Sequence, residues 1–155
     1  MELVGLGTEV VVVLTRSGTV MAGPVASNYA PSIVLQSYRE LVSAGRIREL
    51  RDVDEWDGYG SVGRDAVVHI ELRKWGDLVL VAPCTANTLA KLAVGLCDNL
   101  ASSVLRAWDP RKPVIVAPAM NAVMWAHPAT AEHLNTLTKR SSVRVVPPVF
   151  SKKIP

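Results

Sequence analysis

Three short stretches of this chain carry side chains suited to holding a ligand: Thr15-Arg16-Ser17-Gly18, Pro83-Cys84-Thr85-Ala86-Asn87-Thr88 and Pro118-Ala119-Met120-Asn121. Each is small and polar, and each follows or closes an apolar run. Hydroxyls, amides and the N–H groups at the start of a following helix suit a phosphate or a flat ring with polar edges. A plain turn with an exposed Ser-Gly pair is the competing reading of Thr15–Gly18. One residue fits proton chemistry. His69 lies beside Val68, Leu72 and Trp75, an apolar stripe at helical spacing, and reads either as a neutral base or as a satisfied structural histidine.

Other chemistries are poorly served. There is no acidic pair, no Ser-His-Asp arrangement and no cluster of metal ligands. His127 and His133 do not share one helix face and have no third ligand, so no metal site is expected. Cys84 and Cys97 make neither a disulfide framework nor a CxxC pair, and both read as small buried thiols in a reducing compartment. What remains is hydroxyls, amides, backbone donors and one candidate base. Such a site binds and orients a cofactor that supplies the chemistry.

The elements that must position these groups follow from periodicity. Leu78–Ala82 is a continuous apolar run, and beyond Pro83–Thr88 the residues Leu89, Leu92, Ala93 and Leu96 recur at spacings of three and four. That pattern predicts a buried central strand feeding its crossover helix. Glu9–Thr15, β-branched and apolar, predicts the first strand, Pro113–Pro118 a further buried strand, Ile47–Leu50 a short edge strand and Val143–Val146 the last one. Helices are predicted over Ser32–Ala44, closed by Gly45; over Ala66–Trp75; over Asn99–Trp108, with Asp98 as N-cap; and from Pro128 to about Lys139, with Leu134 and Leu137 inward. A short helical turn is expected at Val123–Trp125. Thr19–Ala30 reads as loop, Asp52–Gly63 as a surface loop pinned by Trp56 and Tyr59, and the LVGLG of the first residues as the tail of a helix.

Alternating strands and helices predict an α/β fold, a doubly wound parallel sheet in a single domain spanning 1–155. All three ligand-holding stretches then fall at the carboxyl ends of strands, on one edge. The strand and glycine-rich turn that normally open a nucleotide-binding fold of this kind are not found ahead of Glu9.

Composition agrees. Hydrophobic residues make up 49% of the chain and aromatics only 5%, the profile of an aliphatic sheet covered on both faces. Net charge is +3, and the basic residues are scattered, which argues against a nucleic-acid partner. No apolar run is long enough to span a membrane, and no basic segment precedes an apolar core at the start, so the expected location is cytoplasmic.

Four motifs in order carry a resemblance: HIELRKWGD at 69–77, APCTANTLAKLAVGLCDNL at 82–100, RAWD at 106–109 and APAMNAVMW at 117–125. Together they resemble the homo-oligomeric flavin-containing cysteine decarboxylases, most closely the eukaryotic single-function type. The likeness runs from about residue 8 onward and is strongest over 67–130. Flavin prenyltransferases share the loop–helix–DNL layout but lack APAMN. The resemblance implies a flavodoxin-like (Rossmann-like) fold, a homotrimer, and FMN near the subunit interface. Thr85, Ala86, Asn87 and Thr88 match the flavin-contacting segment of that family, and Thr15 and Ser17 a second, phosphate-side loop. His69 matches the active-site histidine and Asn121 the residue that holds the substrate carboxylate. Within the same motif Ala119 and Met120 fall on the flavin side and Met124 on the substrate side. Lys153 matches a substrate-binding lysine.

The implied activity is decarboxylation of 4'-phosphopantothenoylcysteine to 4'-phosphopantetheine in coenzyme A biosynthesis. The cysteinyl thiol carbon is oxidised to a thioaldehyde, with FMN as acceptor and His69 handling protons. The thioaldehyde accepts the charge left by departing carbon dioxide. The ene-thiol is then reduced at the expense of the reduced cofactor, with a cysteine as proton donor. In the family that cysteine sits on a C-terminal flap resembling KKxxC, and Lys152-Lys153-Ile154-Pro155 matches its start without reaching the cysteine. The expectation is a chain lacking the first strand of the family, its glycine-serine turn and the end of its flap. The alternative expectation is an impaired relative that binds and inhibits a protein phosphatase.

Overall fold

Runs of β-branched residues make the strands, and short polar turns make the helices start. The computed structural model describes residues 7–22 and 32–147 and divides the chain into two units, Met1–Val68 with Asn99–Ala101, and His69–Asp98 with Ser102–Pro155. The opening LVGLG, most of the loop expected over Thr19–Ala30, and the flap with Lys153 lie wholly or mostly outside the described residues.

In the first unit β1 (Val10–Leu14) pairs in parallel with β2 (Ile47–Arg51), Val10 opposite Ile47 and Leu14 opposite Arg51. Helix α1 (Arg16–Ala22) begins directly after β1, so Ser17 lies in a first helical turn rather than in a loop, and Thr19–Ala22 is helical. Helix α2 (Ser32–Ser43) leads back to β2. It closes on Gly45 at φ +67°, with Arg46 N–H donating to Leu41 O at 2.9 Å and Gly45 N–H to Val42 O at 3.0 Å. That double bond around a left-handed residue is what glycine permits at a helix end. Tyr38 on α2 donates its hydroxyl to Glu49 of β2 at 2.7 Å. Burial, and then that bond, hold the phenol well above its ordinary pKa. After β2 a 3-10 turn (Asp52–Glu55) presents Asp52, whose carboxylate accepts the N–H of Leu100 at 3.0 Å. Trp56 does not pin the following loop to the body. It is 62% exposed and packs edge-on against Tyr59, ring centroids 5.4 Å apart.

The second unit holds α3 (Val68–Trp75, its first residue in the other unit), β3 (Val79–Cys84), α4 (Ala86–Val94), α5 (Leu100–Ala107, which begins in the first unit), β4 (Val114–Pro118), α6 (Ala122–Ala126), α7 (Pro128–Thr138) and β5 (Val143–Val145). The strands are parallel in the order β3-β4-β5, with Val79 opposite Val114 and Val114 opposite Val143. Every second residue of β4 is buried: Val114, Val116 and Pro118. The core is completed by Leu89, Leu92 and Ala93 of α4 and Leu137 of α7. The two helices lie against each other.

Several sequence expectations are corrected. The middle strand of this sheet is β4. Among the described residues β3 pairs on one edge only, so Leu78 and Leu80 remain nearly half exposed and only Cys84 of the strand is buried. An apolar run is buried only where neighbours cover it, and composition does not say where they are. Leu96 lies beyond the end of α4 and is exposed, because Gly95 terminates the helix at φ +75°. No residue of α3 is buried, and Trp75 of its expected stripe is exposed. At the start of α5 Asp52 accepts the N–H of Leu100, and Asp98, the expected cap, pairs with Lys91 at 2.6 Å and hydrogen-bonds Ser102 of the first turn. Cys97 is exposed, its Sγ 3.4 Å from Gly95 O.

Candidate functional site

Two strand–turn–helix junctions stand side by side in the second unit. Strands β3 and β4 are neighbours and parallel, so both end on the same edge. Ala119 N–H donates to Cys84 O at 2.9 Å and ties the two ends together. Thr85 follows β3 and caps α4, its Oγ1 accepting the N–H of Thr88 at 3.3 Å; Asn121 follows the end of β4 and caps α6, its Oδ1 accepting the N–H of Met124 at 2.8 Å. Both caps have φ −68° and ψ 162°. The extended cap residue turns the chain from strand into helix while its side chain satisfies one of the orphan donors of the first turn.

What these caps leave over is the chemistry of the site. The first-turn N–H groups of Ala86 and Asn87 have no acceptor within α4, and the helix dipole points its positive end toward them. The Thr85 and Thr88 hydroxyls lie 3.2 Å apart. The Oδ1 of Asn121 is committed to its cap, so the side-chain donors on Nδ2 are what it presents outward. Asn87, Ala119, Asn121 and Met124 are exposed, and Thr85, Ala86, Thr88 and Met120 are half-buried. The edge is thus an open wall of small side chains and N–H donors with a thioether beside it.

Cys84 sits behind this wall. It has no exposed surface, its Sγ lies 3.8 Å from Thr85 O, and burial pushes the thiol up to about 12. A buried, protonated thiol packs the turn and takes no part in acid–base work near neutral pH. Two residues not picked out as site residues in the sequence support the Asn121 side. Thr130, buried on α7, donates to Met124 O at 2.6 Å and lies 3.8 Å from Met120 Sδ. His127 Nδ1 accepts from Ala129 N–H at 3.2 Å and caps α7. The His-Pro pair marked that helix start in the sequence; nothing marked Thr130.

His69 is half-buried in the first turn of α3. The turn Gly76–Leu78 takes the chain from the end of α3 into the start of β3. His69 stands at the end of α3 away from that turn. Thr15 and Ser17 belong to the first unit. There Thr15 repeats the same device after β1, its Oγ1 accepting Gly18 N–H at 3.1 Å. Among the described residues no group of three or more His, Cys, Asp or Glu side chains stands together, and no helix is long and apolar enough to cross a membrane.

A parallel α/β sheet with a small-residue, N–H-lined wall at its strand ends is the architecture of a nucleotide or flavin protein. The family model described as Flavoprotein matches residues 1–154, and the chain belongs to that family. It is 50% identical over 101 residues to a probable phosphopantothenoylcysteine decarboxylase of Arabidopsis thaliana, covering 65% of this chain and 49% of that protein. It is 53% identical over 101 residues to the phosphopantothenoylcysteine decarboxylase of Oryza sativa subsp. japonica, covering 65% and 45%. The chain therefore spans about half the length of the curated relatives it matches. Among solved structures it is similar to a serine-for-cysteine mutant of PPC decarboxylase complexed with pantothenoylaminoethenethiol, with TM-score 0.75 and 37% identity over 96% of this chain and 71% of that one. It is also similar to the FMN binding protein AtHal3, with TM-score 0.73 and 39% identity over 92% and 67%. The fold is flavodoxin-like, as the sequence predicted.

Proposed function

We propose that this chain binds FMN and decarboxylates 4'-phosphopantothenoylcysteine, in coenzyme A biosynthesis, as a homotrimer. The observation that carries the reading is the pair of matched caps, Thr85 and Asn121, on adjacent parallel strand ends. The donor set fits a flavin. Ala86 and Asn87 N–H and the Thr85 and Thr88 hydroxyls can meet the polar edge of a flat ring, and no bulky side chain among Thr85, Ala86, Asn87, Thr88 and Ala119 obstructs its face. Thr15 and Ser17 are proposed to serve its phosphate. When bound, FMN supplies a two-electron sink that takes the thiol carbon of the substrate to the thioaldehyde level.

The remaining work falls to side chains of this chain. The imidazole of His69 takes the thiol proton as the carbon is oxidised, the role of a general base. Asn121 donates through Nδ2 to the substrate carboxylate and holds it out of the plane of the developing double bond, so that the C–C bond can break into the thioaldehyde. Its cap makes this orientation unique, since a flipped amide would lose the bond to Met124. Met120 and Met124 line the apolar side, and Lys153 is proposed as a further substrate ligand. Cys84 does not serve as the proton donor of the final reduction, being sealed from solvent.

The test is reconstitution of the purified chain with FMN, followed by incubation with phosphopantothenoylcysteine while carbon dioxide and thiol products are both measured. The expected result is a flavin spectrum with carbon dioxide release in the native chain, and in His69→Gln a flavin spectrum without release. A colourless protein that cannot be reconstituted, or full release from His69→Gln, would overturn the reading. Retention of a phosphatase with no release would favour a regulatory role instead.

A further inference from the structure

The motifs HIELRKWGD and RAWD contribute only His69 to the proposed chemistry, yet the structure joins their other ends. Lys112 Nζ donates to three main-chain carbonyls at the end of α3: Gly76 O at 2.7 Å, Arg73 O at 3.2 Å and Lys74 O at 3.3 Å. A helix end leaves carbonyls without partners, and an ammonium has three protons to give. Trp108 holds the lysine in place. Its Nε1 donates to Lys112 O at 3.2 Å, and its ring lies beneath the ammonium, 5.5 Å from Nζ to the centroid. Gly76 completes the joint. It is buried, and a Cβ there would stand 2.9 Å from Trp108 Cη2, so the ring rests on bare backbone.

This joint lies just ahead of β4, the strand whose far end carries Asn121. It therefore ties the last turn of α3 to the amino end of the middle strand. A helix of eight residues is about 12 Å long and stiff over that length, so fixing its last turn also fixes where its first turn lies along the strand. We propose that Lys112, braced by Trp108 and Gly76, is a positioning residue that sets the place of the His69 imidazole relative to the Asn121 turn. The inference rests on the proposed role of His69 for its catalytic consequence, but not for its geometry.

The test uses the full chain reconstituted with FMN and the variant Lys112→Met, which keeps the apolar stem and removes the donors. The His69 ring resonance is expected to move in the NMR spectrum while those of His127 and His133 stay. A fall in kcat of about ten- to a hundredfold is expected, with KM little changed, as for a displaced reacting group. Lys112→Arg, which restores donors, should recover part of kcat. An unmoved His69 resonance in a folded Lys112→Met protein would overturn the proposal, and so would equal movement of all three histidines, the mark of general loosening. If Lys112→Met does not fold, the same readouts on Gly76→Ala, whose added methyl group presses on Trp108, decide the matter. Full activity in His69→Gln would instead remove the proposed chemistry and leave the NMR comparison to judge the joint alone.

Discussion

Asn121 caps a helix with one end of its amide and is proposed to hold the substrate carboxylate with the other, and substitutions can separate the two. Asn121→Asp keeps an oxygen to accept the Met124 N–H but replaces the outward donor with negative charge. It should fold with unchanged thermal stability and lose carbon dioxide release. Asn121→Ala loses both, and should also lower stability by about 1 kcal/mol, the usual value of an N-cap. Equal stability of the two variants in thermal unfolding would show that the cap bond is not formed. Cys84 gives a second test at this scale. Its thiol is raised from 9.0 to about 12 by burial, so the folded chain holds that proton more tightly than the unfolded chain. The resulting stability is fully present below pH 9 and is lost as pH rises toward 12. A thiol reagent at pH 8 should therefore modify exposed Cys97 in the native protein and reach Cys84 only after unfolding.

At the scale of elements, the same device recurs three times: a parallel strand, a Thr or Asn cap, and a helix. Thr15 after β1, Thr85 after β3 and Asn121 after β4 each use a short side-chain oxygen to accept from a first-turn N–H. The cap fixes the angle between strand and helix, and so aims the remaining N–H donors. Thr85→Ala should cost about 1 kcal/mol and weaken flavin binding, whereas Thr85→Ser should keep both. Flavin fluorescence quenching during titration would measure the binding, and chemical denaturation the stability. Unchanged affinity in Thr85→Ala would detach the cap from the cofactor. The clamp formed by Lys112, Trp108 and Gly76 is the complementary device at the opposite end of an element. It satisfies carbonyls where Thr85 and Asn121 satisfy amides.

On the scale of the whole molecule, apolar side chains remain uncovered. In the second unit Leu78, Leu80, Val94, Leu96, Val123 and Met124 are all nearly half exposed or more. Scattered apolar surface is ordinary, but Val123 and Met124 directly follow Asn121, and exposed side chains of this size suit a surface that a second protomer covers. Light scattering should give a mass that is a multiple of the 16.7 kDa chain, three protomers on the proposed assembly. Val123→Asp should shift that mass downward. A monomer at high concentration would count against a site shared between subunits.

The strands and most of the helices were legible in the amino-acid sequence, though the helix Arg16–Ala22 was not. Local rules decide them: β-branched runs extend, Thr and Asn cap, Gly45 and Gly95 stop helices, and a proline follows a cap. The run from Leu78 to Leu100 announced a strand, a small polar turn and a helix, and the structure has all three. The sequence did not determine which strand lies in the middle, whether Leu96 or Trp75 is covered, or that Asp52 accepts an N–H at a helix start 48 residues away. Nor did it join Lys112 to the end of α3. Those are contacts between residues distant in the chain, and burial depends on which neighbours arrive. Composition sets what a residue prefers; only the tertiary structure supplies the partner that meets the preference.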